Sequence, residues 1–405
     1  MAKIEFAPEI ATRCCIVGGG PAGMMLGLLL ARSGVDVAVL EKHADFLRDF
    51  RGDTIHPSTL EVMHELGLLE EFLKRPHSEV RQVQGHIGSE SVILGDLSHL
   101  PTRCKFIAMI PQWEFLDLLA EDARRYATFR LLTNTEATAL LKRDEKVIGI
   151  AARDRTGALE IRADLTIGAD GRRSRIRDDS GLAVRDLGAP IDVLWFKLNV
   201  EQGTPPAVLG RIAAGQVLVM LYRGDYLQCA LVIPKGAAEV VKSQGLQAFR
   251  TRVARLAGRA SAEEIESLDD VKLLTVTIDR LSRWYKPGLL FIGDAAHAMS
   301  PVGGVGVNLA VQDAVAAANI LAKPLEQRRL TLEHLRRVQR RRSLPTQLTQ
   351  ALQVAIQSNI LSPLLSATSE PRVPAVVRLM QAWPALQRLP ARIVGMGFRP
   401  EHVRL

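Results

Sequence analysis

Short apolar runs separated by a helical stretch open this chain, a pattern typical of a strand–helix–strand unit. The apolar run at residues 12–17 predicts a buried strand, and the continuous apolar character of 21–33 predicts a helix. Gly34 ends that helix, and residues 35–40 predict a second strand. We therefore predict an α/β fold that begins with a βαβ unit.

Two later apolar runs, residues 163–169 and 289–292, each predict a further buried strand, and residues 307–321 predict a long helix. An aspartate follows each of these strands closely, Asp170 in one case and Asp294 in the other. Ligands of open α/β sheets bind at the carboxyl ends of the strands. Both aspartates are therefore candidate ligand contacts.

A separate group of strands is predicted between these two runs. Its members are residues 192–200, 217–223 and 226–233, with a hairpin turn at 223–225. Because side chains alternate along a strand, Tyr226 and Gln228 share one face and Leu227 lies on the other. Together with residues 79–104, this variable, strand-rich sequence predicts a sheet that covers a substrate.

Composition changes this picture little. The chain has 405 residues, 47% hydrophobic and 24% charged, as in an ordinary globular protein with a large core. No uninterrupted apolar run reaches the roughly 18 residues of a transmembrane helix, and the N-terminus lacks a secretory signal pattern. Cys14, Cys15, Cys104 and Cys229 have neither CxxC nor metal-site spacing, so we expect reduced thiols, no metal site and a cytoplasmic location.

The net charge of +8 is concentrated late in the chain, where arginines cluster at 328–329, 336–337 and 340–342. A solvated helix face explains such a cluster, and so does contact with an anionic cofactor or a membrane surface. The sequence contains no nucleic-acid-binding module, so we do not expect a nucleic acid partner.

The glycine motif between the first strand and helix is Gly18-x-Gly20-x-x-Gly23. Gly18 permits a tight turn, Gly20 lets the backbone approach a pyrophosphate, and Gly23 lets helix and strand pack closely. The N–H groups and dipole of the helix start favour phosphates. Glu41 follows the second strand, where an acid binds the hydroxyls of an unphosphorylated ribose, which favours FAD or NAD over NADP.

Two other segments carry weaker signals. Asp170-Gly171-Arg172 is either a turn before a basic helix start or a loop that contacts cofactor phosphates. The glycine-rich segment 301–306 opens the helix predicted at 307–321 and predicts a second anion-binding helix start. His56 and His297 are interpreted as structural histidines rather than catalytic ones.

These motifs, in this order, resemble those of the class A flavoprotein monooxygenases of the para-hydroxybenzoate hydroxylase type, over about residues 10–345. Arg51 and its following segment, and the helix start at Gln112, match the family further. The resemblance implies an α/β fold with a Rossmann-like FAD-binding domain, an inserted β-sheet substrate domain and a helical C-terminal tail. The FAD-binding domain would span residues 1–78, 105–185 and 273–345. The substrate domain would span residues 79–104 and 186–272, and the tail residues 346–405.

The resemblance also implies an activity. In this family NAD(P)H reduces FAD, the reduced flavin reacts with O2 to give a C4a-hydroperoxyflavin, and its distal oxygen hydroxylates the substrate. No arginine pattern for a substrate carboxylate is evident, so we expect a hydrophobic aromatic or polycyclic substrate. A non-oxygenating FAD-dependent dehydrogenase or reductase of the same fold is the alternative, and a flavin-bound sequestering protein is a third possibility. Halogenation is not expected, because no tryptophan lies in a Trp-x-Trp-x-Ile-Pro motif.

Carried over position by position, the resemblance implies contacts to FAD along much of the chain. The implied cofactor-binding residues are Gly18, Gly20, Pro21, Ala22, Gly23, Glu41, Lys42, Arg51, Gln112, Asp170, Gly171, Arg172, Gly293, Asp294, Pro301, Gly304, Val305, Gly306, Val307 and Asn308. Pro301, Gly303, Gly304 and Gly306 would surround the flavin ring, and no residue is assigned a certain catalytic role. The candidate substrate contacts are Trp195, Tyr222, Tyr226 and Gln228.

The tail contains several prolines and short amphipathic stretches such as 373–383. We expect it to pack over the FAD-binding domain, and contact with a membrane surface or a second copy of the chain is the alternative. A monomer and a homodimer are both compatible with the sequence.

Overall fold

The structure is a computed structural model that describes residues 8–47, 54–200, 208–223, 225–257 and 262–405. Its helices are Pro21–Arg32 (α1), Pro57–Glu65 (α2), Leu69–Lys74 (α3), Gln112–Ala123 (α4), Arg175–Ser180 (α5), Ala238–Ser243 (α6), Leu246–Ala257 (α7), Gly306–Glu326 (α8), Leu332–Ile356 (α9), Ser362–Ser366 (α10), Ala375–Ala382 (α11) and Arg388–Met396 (α12).

The strands are Glu9–Val17 (β1), Val37–Leu40 (β2), Thr54–Ile55 (β3), Ser78–Val80 (β4), Gln82–Ile87 (β5), Glu90–Asp96 (β6), Ile107–Met109 (β7), Phe129–Leu132 (β8), Glu136–Arg143 (β9), Lys146–Arg153 (β10), Ala158–Gly168 (β11), Val184–Asp186 (β12), Ile191–Asn199 (β13), Val208–Ala213 (β14), Gln216–Tyr222 (β15), Tyr226–Pro234 (β16), Lys272–Leu274 (β17), Asp279–Leu281 (β18), Tyr285–Lys286 (β19) and Leu289–Phe291 (β20).

The first sheet has the order β19–β20–β11–β1–β2–β8. Strand β10 also pairs antiparallel with β11, and β9 pairs antiparallel with β10. Strands β20, β11, β1, β2 and β8 run parallel to one another. Cys14, Cys15, Ile16 and Val17 of β1 are all buried, as expected for a central parallel strand covered on both faces. The predicted βαβ unit and the two later strands are confirmed, and α1 packs against both α4 and α8.

Helix α8 lies at the centre of this core. Residues 302–326 are long and apolar enough to cross a membrane by length and composition, but 78% of the most apolar window is buried within the protein. Such burial is typical of a core helix of a globular domain.

The second sheet has the order β17–β13–β16–β15–β14–β5–β6, so it joins strands from two distant parts of the chain. The sequence prediction included β13, β15 and β16 but not β14, which lies between β13 and β15 in the chain. On one face, called here the outer face, Phe196, Leu218 and Cys229 pack against Phe249 and Val253 of α7. The opposite face, the inner face, carries Val217, Ala230 and Val232, which form a cluster with Val302.

The C-terminal segment packs against both sheets. Helix α9 continues through Pro345, so the predicted boundary between residues 345 and 346 falls within a helix. Leu361, Leu364 and Leu365 pack on the inner face of the second sheet. Beyond them, α11 and α12 contact β6, and the chain end returns to α2 and α8. The tail therefore covers the second sheet as well as the first.

Candidate functional site

Four parallel strands of the first sheet end together at one edge. The register pairs Val17 of β1 with Leu40 of β2 and Gly168 of β11, and Gly168 in turn with Phe291 of β20. The segments that begin at Gly18, Glu41, Ala169 and Ile292 therefore leave the sheet side by side. Each predicted motif follows one of these strands, so the fold brings together residues separated by more than 270 positions in the chain.

The glycine turn after β1 has no room for side chains at two positions. Gly18 has a φ of +109°, and a Cβ there would lie 2.4 Å from the carbonyl oxygen of Ala169. A Cβ on Gly23 would lie 1.9 Å from the carbonyl oxygen of Gly18. These two glycines therefore fix the close approach of β1, β11 and α1.

Gly20 differs from those two glycines. Its backbone is extended, with φ −76° and ψ −176°, and a Cβ there would meet no atom of the described residues within 4 Å. It immediately precedes α1, whose first residue is Pro21, and no side-chain cap from the described residues covers that helix start. Gly20 therefore opens onto free space in front of a positive helix end, where an anionic group fits.

Glu41 closes one side of this opening. Its carboxylate accepts hydrogen bonds from the backbone N–H of Gly19 at 3.1 Å and of His43 at 3.0 Å. The side chain is thus held at the end of β2, next to the glycine turn, while Lys42 is exposed. This arrangement agrees with a carboxylate positioned for ribose hydroxyls.

The Asp170 loop carries unsatisfied buried atoms. Among the described residues, Oδ1 of Asp170 and Nη1 of Arg172 are buried and have no hydrogen-bonding partner. Burial raises the pKa of the Asp170 carboxyl, although hydrogen bonds from Ser174 and the backbone that follows oppose it. The other terminal nitrogen of Arg172, Nη2, donates to Asp294 at 3.2 Å. The second and third motifs thus meet through the Arg172–Asp294 ion pair. Nη1 of Arg172 and Oδ1 of Asp170 remain available as a donor and an acceptor for a ligand.

A glycine-rich loop precedes α8. Gly303 and Gly304 have φ values of +81° and +63°, and a Cβ on Gly304 would lie 2.8 Å from the hydroxyl oxygen of Thr54. That hydroxyl donates to the carbonyl of Gly304 at 2.9 Å. Gly306 begins α8 directly after this partly exposed loop, so the loop leads into a second helix N-terminus.

Asn308 in the first turn of α8 ties this loop to the region after β3. Its Oδ1 accepts from the backbone N–H of His56 at 2.9 Å and from the Thr59 hydroxyl at 2.6 Å. The sequence analysis predicted Asn308 as a cofactor contact and did not predict these bonds. No local pattern signals them, because the partners lie about 250 residues apart.

Gln112 is the first residue of α4, and its side chain is half-buried. Arg51 lies outside the described residues.

Both predicted structural histidines are buried and bonded within the chain. His56 Nδ1 lies 2.8 Å from the carbonyl oxygen of Val394, and His297 Nε2 lies 2.5 Å from Asp313 Oδ2. Burial lowers the pKa of His56 to about 4, although the carbonyls of Val394 and Gly304 act against it. These contacts leave neither histidine directed into open space.

Asp313 of α8 organises the turn that carries Asp294. Its Oδ2 also accepts the backbone N–H of Gly293 at 3.0 Å, and its Oδ1 accepts from Nε of the fully buried Arg342 at 2.9 Å. Burial alone would raise the pKa of the Asp313 carboxyl, but His297 and Arg342 lower it below its usual value. Arg342 also reaches Glu401 at 3.3 Å, so the network extends to the chain end.

The inner face of the second sheet contains two of the predicted substrate contacts. Trp195 packs with the cluster that includes Val302, and its indole Nε1 is buried without a hydrogen-bonding partner among the described residues. Gln228 is buried, and its Oε1 accepts from Nε of Arg223 at 2.9 Å. An unpaired donor on an otherwise apolar wall is suited to one polar group of a hydrophobic ligand.

The other two candidates are placed differently. Tyr226 follows the alternation of Gln228, and Lys197 Nζ lies 4.8 Å from the centre of its ring. Tyr222 pairs in register with Leu227 and packs against the outer-face cluster. The structure therefore does not bring Tyr222 to the inner face. The alternation that placed Leu227 on the face opposite Gln228 also places Tyr222, its cross-strand neighbour, on the outer face.

The residues present fit a dinucleotide that spans the edge of the first sheet. Gly20 offers open space at a helix start, Glu41 offers a carboxylate at one end, and Asp170 and Arg172 offer a free acceptor and donor in the middle. The loop at 301–306 then lies next to the inner face of the second sheet, through Val302.

Comparison with known proteins agrees with this fit. Residues 11–351 match the family described as FAD binding domain. A 6-methylpretetramide 4-monooxygenase from Streptomyces rimosus is 32% identical over 383 residues, which cover 93% of this chain and 91% of that protein. The chain belongs to the FAD-binding family of flavoprotein monooxygenases. FAD is its cofactor, and NAD(P)H and O2 are the co-substrates typical of the class.

Two further relatives extend the comparison. A rifampicin monooxygenase from Streptomyces venezuelae is 30% identical over 306 residues, which cover 74% of this chain and 61% of that protein. PqsL from Pseudomonas aeruginosa, described as a probable FAD-dependent monooxygenase, has the same fold, with a TM-score of 0.74 and 22% identity over 88% of this chain and 98% of its own. The predicted family, fold class and cofactor are confirmed, and a non-oxygenating flavoenzyme is not favoured.

Proposed function

We propose that this flavoprotein hydroxylates a hydrophobic fused-ring aromatic compound with NAD(P)H and O2. The observation that carries this proposal is the apolar inner face of the second sheet, which shares a hydrophobic cluster with Val302 of the glycine-rich loop. A hydrophobic substrate placed between the two would lie next to the loop that we assign to the flavin ring.

We propose that the three motifs hold FAD along the edge of the first sheet. Glu41 would bind the adenosine ribose, and Gly20 with the start of α1 would bind the pyrophosphate. The free Oδ1 of Asp170 and the Arg172–Asp294 pair would bind the middle of the cofactor. Asp313 acts indirectly, because it holds the N–H of Gly293 and so fixes the turn that presents Asp294.

Next to the ring, the protein supplies an electrostatic environment. The chemistry that FAD supplies when bound is hydride acceptance from NAD(P)H and activation of O2. The N-terminus of α8 at Gly306 would stabilise negative charge near the ring through its free N–H groups. Thr54 holds the preceding loop in place through its bond to Gly304.

On the substrate side, we propose that Trp195 donates its unpaired indole N–H to a substrate oxygen. Gln228 is fixed by Arg223 and would present its remaining amide hydrogens. Leu361, Leu364 and Leu365 close the inner face from the tail, so they would help to exclude water. The cytoplasmic location and the choice between monomer and homodimer stay predictions.

The first compound to test is 6-methylpretetramide, the substrate in the name of the relative at 32% identity. The FAD-loaded protein is incubated with NADH or NADPH under isotopically labelled dioxygen, and the product is analysed by mass spectrometry. We expect fused-ring aromatics to stimulate NAD(P)H oxidation and to gain one labelled oxygen atom. Stimulated NAD(P)H oxidation without label in any product, across a panel of such compounds, would contradict the proposal.

A further inference from the structure

The last part of the chain has an unusual distribution of charge. Residues 371–400, which include α11 and α12, contain five arginines and no acidic residue. The five arginines of α9 at residues 336–342 lie outside this segment, and four of them pair with Glu333, Asp313 or Glu401. Partners of such a segment are expected to be anionic.

Helices α11 and α12 are fastened to β6 of the second sheet, and α12 also contacts α2. The Gln381 amide forms two hydrogen bonds with the backbone of Ile93 in β6, at 3.2 and 2.7 Å. Val373 packs with Val92, and Ala391 packs with Leu97. These contacts fix the orientation of the segment on the protein.

The opposite side of the same segment exposes large apolar side chains. Val376 is 63% exposed, Trp383 65% and Leu389 64%, and two more leucines of the segment are also exposed. We call this the tail surface; its apolar members are Val376, Leu379, Trp383, Leu386 and Leu389, and its cationic members are Arg372, Arg378, Arg388 and Arg392. A contiguous apolar surface of this kind marks an interaction site.

The arginines of the tail surface are largely free of internal partners. Within the described part of the chain, Arg372, Arg388 and Arg392 form no ion pair with a carboxylate, and Arg378 lies 3.6 Å from Glu90. Their charge is therefore available to an external anion. Exposed leucine and tryptophan side chains between arginines are the pattern of a helix that lies in a bilayer interface.

We propose that the tail surface docks on an anionic lipid bilayer. A second copy of the chain fits less well, because a two-fold interface would bring the same arginine-bearing surface of both copies together, with no acidic residue of residues 371–400 to pair with it. Insertion across the bilayer is excluded for α11 and α12, which have eight and nine residues, whereas a spanning helix needs about 20. The apolar side chains enter the interface, and the arginines contact lipid phosphates.

The test uses the FAD-loaded protein and needs no turnover, so its result is separate from that of the proposed hydroxylation. Flotation is measured with vesicles of phosphatidylcholine alone and of phosphatidylcholine mixed with phosphatidylglycerol. We expect binding to the mixed vesicles that weakens as salt increases, and little binding to the neutral ones.

Matched variants locate the contact. Val376→Asp is compared with Val240→Asp on α6, because these valines are 63% and 62% exposed and the change in charge is the same. Arg388→Gln with Arg392→Gln is compared with Arg252→Gln with Arg255→Gln on α7, so that two positive charges are removed in each case. We expect both tail variants to bind mixed vesicles at least tenfold more weakly, because one places a carboxylate among the apolar side chains and the other removes two cations that attract anionic lipid. Both controls should bind as the parent does.

Three results would overturn the proposal. They are absence of flotation with mixed vesicles, equal loss in the tail and control variants, and a concentration-dependent dimer that Val376→Asp abolishes in sedimentation. The last result would assign the tail surface to a second copy of the chain.

Discussion

At the scale of single residues, the site combines buried polar atoms that are bonded within the chain with others that are not. Oδ1 of Asn308, Nε2 of His297 and Oδ2 of Asp313 have partners, whereas Oδ1 of Asp170 and Nη1 of Arg172 have none among the described residues. An unpaired buried polar atom costs free energy, so it is expected where a ligand supplies the missing bond. The sequence located these residues through their motifs. It gave no indication of which atoms stay free, because that depends on contacts between distant segments.

The pKa of His56 predicts how the free energy of unfolding depends on pH. Its pKa in the folded protein is about 4, against a usual value of 6.5, because its ring is fully buried. Between these two values the unfolded chain binds the proton more strongly, so the free energy of unfolding falls as the pH falls from 6.5 towards 4. We expect this residue to contribute about 3 kcal/mol of that loss.

Equilibrium unfolding of the parent and of His56→Asn at pH 7 and pH 4.5 measures the effect, with the exposed His99→Asn as control. We expect the free energy of unfolding to depend less on pH in His56→Asn than in the parent and in His99→Asn. Identical pH dependence in all three proteins would show that His56 titrates normally.

At the scale of elements, the apolar periodicity of neighbouring residues predicted several strands and helices correctly. The strands that became β1, β2, β11 and β20, and the helices α1 and α8, are recognisable from their apolar periodicity and their glycines. Strand β14 was missed because Gly210 and Arg211 interrupt its apolar pattern; it forms a hairpin with the adjacent β15 and pairs on its other side with β5, about 125 residues earlier. The bond between Asp313 of α8 and Arg342 of α9 was missed because its partners lie on different helices, 29 residues apart.

Replacing Asp313 tests that link between elements. Asp313→Asn keeps the size of the side chain and removes the charge that neutralises buried Arg342, so we expect a loss of about 3 kcal/mol in the free energy of unfolding. The Gly293 turn should also shift and weaken FAD binding.

Asp164→Asn is the matched control, since Asp164 pairs with Arg13 at a partly exposed site. It should cost less than about 1 kcal/mol. Unfolding in denaturant without FAD measures the free energy of unfolding of both variants. Equal losses in Asp313→Asn and Asp164→Asn would contradict a special role for the buried network.

At the scale of the whole molecule, the protein places an apolar wall opposite the loop assigned to the flavin ring. The sequence predicted two sheets with different roles and a helical tail. It did not predict that the tail also packs on the second sheet, because that contact depends on how the sheets and the chain end come together. We therefore expect substrate choice to depend on three parts of the chain that share one hydrophobic cluster, namely the second sheet, the loop at 301–306 and the tail.

Trp195 and Tyr222 separate the two faces of the second sheet functionally. Trp195→Phe removes the unpaired donor of the inner face, so we expect KM for the stimulating aromatic compound to rise about fivefold, the size of one hydrogen bond, with FAD affinity unchanged. Tyr222→Phe on the outer face should leave KM unchanged. Steady-state NAD(P)H oxidation gives both values, and a larger effect for Tyr222→Phe would mean that the faces are assigned the wrong way round.

The most direct test of the account is the FAD affinity of Gly20→Leu, measured by quenching of flavin fluorescence. The free protein has space for a Cβ here in an ordinary backbone conformation, so the free energy of unfolding without FAD should fall only by the roughly 1 kcal/mol or less that leucine costs at a helix N-cap. The new side chain would occupy the space assigned to the pyrophosphate, so affinity should fall about 100-fold or more, which corresponds to roughly 2.7 kcal/mol. Gly210→Leu, also at an open position but on the second sheet, should bind FAD normally. Normal FAD affinity in Gly20→Leu would contradict the proposed position of the cofactor.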